Sequence, residues 1–151
     1  MPIFVDADAC PVKEEVYRVA RRYGIKVFVV SNTPLRVPQE DLIELVVVRG
    51  GFDAADDWIA EHVAPGDIVI TADIPLAGRC LGQGSRVMGP KGLEFTESTI
   101  GDALATRALL EMLRQSGSYG GGPAPFARAD RSRFLSKLDE IVHATRRDQR
   151  R

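Results

Sequence analysis

Short apolar runs alternate along the chain with stretches of helical period. Ile3, Phe4 and Val5 form the first run and predict a short buried strand. Asp6 and Asp8 follow it, two positions apart. An extended backbone through Asp8 sends both carboxylates to one face. Val12, Val16, Val19, Ala20 and Tyr23 then recur at spacings of three and four, which predicts a helix over 11–23 with a core-facing stripe. Pro11 suits its first position and Gly24 its stop. The almost unbroken apolar run at 26–30 predicts a second strand, covered on both faces. Two prolines and several polar residues make 31–41 a loop.

The same alternation continues. A third strand is expected at 45–48, ended by Gly50-Gly51. Asp53 then reads as the N-cap of a helix with Trp58, Ile59 and Val63 on its apolar face. Asp56 three residues on completes a capping-box arrangement with Asp in place of Glu. Pro65-Gly66-Asp67 is a turn, and 68–72 is a fourth strand that ends at Asp73. Pro75 opens a short helix to about residue 81, and 86–88 is a fifth strand. A longer helix over 100–115 comes next. The Gly- and Pro-rich stretch 116–125 is a loop. A last amphipathic helix has Asp130 as its N-cap and Phe134, Leu138, Ile141 and Val142 on one side. Residues 146–151 read as a basic, solvated tail. Strands alternating with helices imply an α/β fold with a mostly parallel, five-stranded sheet and right-handed crossovers, followed by C-terminal helices. Residues 1–145 form the single domain of this scheme.

Composition narrows the function classes. The 151 residues are 44% hydrophobic and 27% charged, as in an ordinary globular protein. The formal net charge is −1, unlike a dedicated non-specific nucleic-acid binder, which would be clearly basic. No basic region followed by a long apolar run marks a signal peptide, and no apolar run has membrane-spanning length. Two cysteines, Cys10 and Cys80, are too few for a disulfide framework, so a cytoplasmic compartment with reduced thiols is expected. Charge is unevenly spread. Asp6, Asp8, Asp53, Asp56, Asp57, Asp67 and Asp73 lie in the first half, whereas Arg107, Arg114, Arg128, Arg131, Arg133, Arg146, Arg147, Arg150 and Arg151 lie in the last third.

The acids carry the chemistry. Asp6 and Asp73 each follow a buried strand at its C-terminal end, and in a parallel sheet those ends share an edge. Asp56 and its neighbour Asp57 lie in the first turn of a helix that leaves the same edge. Carboxylates converging there repel one another unless a cation neutralises them. Oxygen-only ligands suit Mg²⁺ or Mn²⁺, which can activate water and clamp a phosphate. An Asp before a helix is also a common cap, which accounts better for Asp53. Asp67 precedes its strand and belongs to a turn at the opposite edge. Cys10 sits beside acids that would raise rather than lower its pKa, so it reads as a structural thiol. His62 and His143 lie within helical patterns and resemble neither zinc ligands nor bases. Arg107, at helical spacing from Ile100 and Leu104, faces inward as a salt-bridge partner or a phosphate contact. Arg131 is a second candidate for substrate binding, set against the ordinary reading of a solvated helix face. The glycine clusters lack the Lys-Ser/Thr ending of a phosphate-binding loop.

Four blocks resemble the YaiI/YqxD family of functionally uncharacterised bacterial proteins. They are Val5-Asp6-Ala7-Asp8-Ala9-Cys10-Pro11, Gly66-Asp67-Ile68-Val69-Ile70-Thr71-Ala72-Asp73-Ile74-Pro75-Leu76-Ala77, the Phe95-Thr96 pair before Ile100, and Gly121-Gly122-Pro123 with Asp130-Arg131. That family is grouped by resemblance with PIN-like domains, many of them metal-dependent ribonucleases. The resemblance implies a three-layer α/β/α sandwich and an acidic metal site. It matches Asp6, Asp56 and Asp73 to the acids after the first strand, in the helix after the third and after the fourth; Asp8 belongs to this family's own motif. Three functions are consistent with these residues. The first is a Mg²⁺- or Mn²⁺-dependent nuclease acting on RNA or single-stranded nucleic acid, with Asp6, Asp56 and Asp73 as metal ligands and Asp8 completing the catalytic set. The second is a haloacid-dehalogenase-like phosphatase that uses Asp6 and Asp8 as nucleophile and general acid. The third is a non-catalytic nucleic-acid or protein binding module.

Overall fold

The computed structural model describes residues 1–8, 10–51, 53–102 and 126–149. Its strands are β1 (Ile3–Asp6), β2 (Val27–Ser31), β3 (Ile43–Val47), β4 (Ile68–Ile70), β5 (Arg86–Met88) and β6 (Glu94–Phe95). They form one sheet in the order β3-β2-β1-β4-β5-β6. All neighbours are parallel except β6, which runs antiparallel to β5. The helices are α1 (Lys13–Tyr23), α2 (Ala54–His62), α3 (Ile74–Gly82) and α4 (Arg128–Gln149). Residues 97–102 are also helical.

Strand alternation sorts the core into two layers. Ile3 and Val5 of β1, with Ile68 and Ile70 of β4, pack on Val16, Tyr17 and Val19 of α1 and on Phe134, Leu138 and Ile141 of α4. Phe4 and Val69 point the other way, onto Ala55 and Ile59 of α2 and Leu76 and Ala77 of α3. The result is a three-layer α/β/α sandwich whose central strands are apolar on both faces. Each fully buried aliphatic or aromatic side chain contributes about 1.5–3 kcal/mol. Among the described residues no helix is long and apolar enough to cross a membrane.

Several local expectations need correction. The sheet has a sixth strand, because Gly89 N–H reaches Leu93 O at 2.8 Å and folds Glu94 and Phe95 back onto β5. Two paired residues carry no readable period. Helix α1 starts at Lys13 rather than Pro11, with Val12 at the N-cap and no side-chain cap bond. Asp53 does occupy the N-cap of α2, but its side chain makes no cap bond. The Oδ1 of Asn32 serves that helix instead, accepting from Ala55 N at 3.2 Å. Asp130 is not the cap of the last helix: α4 begins at Arg128, and Asp130 Oδ2 reaches back to accept from Ala127 N at 2.8 Å. The expected tail from 146 is helical through Gln149. Arg146 holds it by donating to Tyr23 O and by lying 5.1 Å over the Tyr23 ring. The longer helix expected over 100–115 and the loop over 116–125 lie mostly outside the described residues.

The loop between β5 and β6 also docks against α4. Gly92 has φ of +92°, and a Cβ there would meet the Arg133 backbone carbon at 2.8 Å. Both the positive φ and the close approach demand glycine. Gly92→Ala is therefore expected to cost about 2 kcal/mol or more, lowering Tm by roughly 4–8 °C in a chain of this size. Thermal denaturation followed by circular dichroism checks it. An unchanged Tm would mean that the loop does not seat against α4.

Candidate functional site

The strand order reverses at β1. The chain moves from β1 out to β2 and β3, then returns to place β4 on the other side of β1 and continues to β5. Right-handed crossovers in opposite directions put their helices on opposite faces. The crevice beyond the C-terminal ends of β1 and β4 is thus left open, and open α/β sheets bind ligands at such a point. A cavity of about 320 Å³ lies there. Asp6, Asp8, Asp56 and Asp73 all line it, with Thr71 and Asn32. No lysine or arginine is among its described lining residues.

Two buried hydroxyls orient the acids that end β1. Thr71 Oγ1 accepts the Asp73 N–H at 3.0 Å and donates to Asp6 Oδ2 at 2.7 Å. Ser31 Oγ accepts the Thr33 N–H at 3.1 Å and donates to Asp8 Oδ1 at 2.9 Å. Ser31 ends β2 and Thr71 follows β4, so one hydroxyl comes from each side of β1. Because each oxygen already receives an N–H, its proton is directed at the carboxylate. Asn32 adds its backbone N–H to Asp8 Oδ2 at 3.2 Å, while its side chain holds the start of α2, the helix that carries Asp56. Asp73 caps α3, with Oδ1 accepting from Leu76 N at 2.8 Å, and lines the cavity as well. The choice between the two neighbouring acids is decided by α2: Asp56 faces the cavity, whereas Asp57 pairs with Arg79 at 2.7 Å on the exposed surface.

The electrostatics follow from this crowding. Asp6 has its pKa raised, chiefly by burial, with Asp8 and Asp73 adding to the rise and the Thr71 hydroxyl opposing it. Asp56 is raised to about 6, first by burial and then by Asp6 and Asp73. Burial likewise raises the Cys10 thiol, which fits a structural role. Among the described residues no three His, Cys, Asp or Glu side chains are already grouped to hold a metal ion.

The other candidates lie elsewhere. Arg131 donates to Pro11 O at 2.7 Å and to Glu15 Oε1 at 3.3 Å, and its guanidinium lies 4.9 Å over Phe126. It joins the starts of α1 and α4 and does not line the cavity. Arg107 lies outside the described residues. His62 stacks on Trp58 with centroids 3.9 Å apart, and His143 meets Tyr23 and Asp139. Asp67 turns its Oδ2 to Ala64 N at 2.8 Å, before β4 and away from the cavity. Ser31, Asn32 and Thr71 were not singled out by sequence reasoning as site residues. Their signal was a small polar side chain directly after each apolar run, Val29-Val30-Ser31 and Val69-Ile70-Thr71.

Fold and site together define an α/β protein with an acidic cavity at its topological switch point. The family model of the uncharacterised YaiI/YqxD family matches residues 4–144, and the chain belongs to that family. It is 58% identical to a UPF0178 protein of Rhodospirillum centenum, over 97% of this chain and 98% of that one. A UPF0178 protein of Paramagnetospirillum magneticum is also 58% identical, over 96% of both chains. One of Azorhizobium caulinodans is 56% identical over 93% of this chain and 88% of its own. No solved structure matches the chain significantly.

The raised pKa of Asp56 has a stability consequence with a definite sign. A carboxyl whose folded pKa exceeds its unfolded value of 3.8 contributes fully below that value, and the contribution is lost as pH rises through about 6. Asp56→Asn is therefore expected to be more stable than the parent above pH ~6, by about 1 kcal/mol after solvent screening, and equal to it below pH ~4. Melting temperatures in chelator across that range measure it. A constant difference at all pH values would show that Asp56 is not strained by its neighbours.

Proposed function

We propose that this protein is a divalent-metal-dependent hydrolase of phosphodiester bonds in RNA or single-stranded nucleic acid, of the PIN-like type. The observation that carries the reading is the convergence of Asp6, Asp8, Asp56 and Asp73 from three strand–helix junctions on one cavity with no cation in its described wall. Four acids there repel one another at a cost in stability, and the capping role that Asp73 has at α3 could be filled by a neutral Asn or Ser. The donor chemistry suits a hard cation such as Mg²⁺ or Mn²⁺, since every candidate ligand is an oxygen. Asp6, Asp56 and Asp73 would hold the ion. Asp8, already directed by Ser31 and Asn32, would orient water or complete the shell. A bound ion would supply an activated water and offset the charge of the phosphoryl group. Among the described residues no three of these acids are already grouped to hold an ion, so binding would have to bring them together.

The protein's own residues prepare that step. Thr71 holds Oδ2 of Asp6 and Leu76 N–H holds Oδ1 of Asp73, which leaves each acid a second oxygen for the cavity. The phosphatase alternative requires Asp6 as a nucleophile, and no described lysine lines the cavity to balance an aspartyl phosphate.

The test combines metal binding with hydrolysis. Purified protein with Mn²⁺ is expected to cleave single-stranded RNA or DNA. Asp6→Asn and Asp73→Asn are each expected to lower the rate by about 100-fold or more and to weaken Mn²⁺ binding in calorimetry. Because Asp56 must ionise to bind, Mn²⁺ is expected to raise Tm well above pH 6 and to lose that effect as pH falls below it. Absence of cleavage on both substrates, with Mn²⁺ binding untouched by the substitutions, would overturn the reading.

A further inference from the structure

The acidic cavity does not end at Asp8. A shallow groove of about 550 Å³ adjoins it and shares Asp8 and Cys10 as walls. Away from the acids this groove is lined by Lys13, Ser31, Thr33 and Leu35. Unlike the cavity, it therefore has a cation in its described wall, together with the shared acid Asp8. Lys13 brings the positive charge, Thr33 an exposed hydroxyl and Leu35 an apolar surface.

Lys13 is held in place without being neutralised. Its Nζ donates to Cys10 O at 2.9 Å, and it makes no ion pair with a carboxylate among the described residues. An ammonium has three N–H donors, so the bond to Cys10 leaves two for a ligand. The acids next to it in sequence do not compete for it. Glu14 and Glu15 line a different depression with Arg18, Arg21 and Arg22, and Glu15 is paired with Arg131 at 3.3 Å.

We propose that this groove is a second subsite, which binds the phosphodiester adjacent to the one in the acidic cavity, with Lys13 as its phosphate contact. The substrate class is then a single nucleic-acid strand rather than an isolated small phosphodiester. A duplex would present many phosphates at once and call for a broad basic face. This groove offers one cation and one apolar side chain, Leu35, for a base, as a single strand requires. The proposal rests on the phosphodiesterase reading of the cavity and extends it.

The test compares two substrates: a short single-stranded RNA oligomer and bis(p-nitrophenyl) phosphate, which has one phosphodiester and cannot span both subsites. With Mn²⁺ present, Lys13→Ala is expected to raise KM for the oligomer about three- to tenfold, and that loss should exceed any change on the small substrate at least threefold. The salt dependence of oligomer affinity should become shallower by about 0.7 in log–log slope. Lys13→Arg should restore most of the affinity. Equal losses on both substrates, or none on the oligomer, would overturn the subsite and leave the cavity's role standing. Hydrolysis of neither substrate by the unsubstituted protein would overturn the phosphodiesterase reading, and the subsite with it.

Discussion

The position of β1 between β2 and β4 governs the rest of the molecule. Because the chain leaves β1 in one direction and returns on its other side, the crossover helices must occupy opposite faces, and nothing in that topology closes the crevice between β1 and β4. The pairing Val5–Val29 on one side and Val5–Ile70 on the other sets the heights at which the three strands end. With that register, Ser31 and Thr71 arrive beside Asp8 and Asp6. A shift of one residue would turn each hydroxyl to the other face of the sheet.

The hydroxyls then convert two repelling carboxylates into a fixed arrangement. Each accepts a backbone N–H from two residues on and donates its own O–H to an acid, so the rotamers of Asp6 and Asp8 are set by backbone geometry. Asn32 extends this order to the third junction, with its backbone on Asp8 and its side chain on α2. Asp56 receives no such help. Its pKa is governed by burial and by like charges. The cavity thus contains two acids held by hydroxyl donors, a third that caps α3, and Asp56, which is raised to about 6 by burial and like charges and gains most from a cation. The crowding of these acids in one cavity is the physical basis of the metal-dependent reading.

The outer layer supports the same edge from a distance. Helix α4 packs beside α1, and its contact at Gly92 seats the turn between β5 and β6, whose Pro90 reaches the cavity wall. Arg131, a candidate phosphate contact from its position in the chain, instead ties Pro11 and Glu15 to α4. It steadies the start of α1, on which Lys13 stands, rather than touching the acidic cavity.

Much of this was legible in the chain itself. The apolar runs ending in Asp6 and Asp73, the helical stripe through Val16 and Val19, and Gly24 as a left-handed stop were readable because period and φ preference are local properties. The five parallel strands were readable for the same reason. The two-residue strand β6 was not, since it exists only through its pairing with β5. The separation of Asp56 from Asp57 was not, because adjacent residues differ only in which side of α2 meets a neighbour. Asp53 stands at the N-cap of α2 as expected but makes no side-chain cap bond, because Asn32, 23 residues away, accepts from Ala55 N instead; the Asp130 cap was misplaced because α4 begins two residues earlier. The roles of Ser31 and Thr71 likewise required the strand order. Local chemistry named the acids, but only the switch at β1 placed them around one cavity and set a lysine beside it.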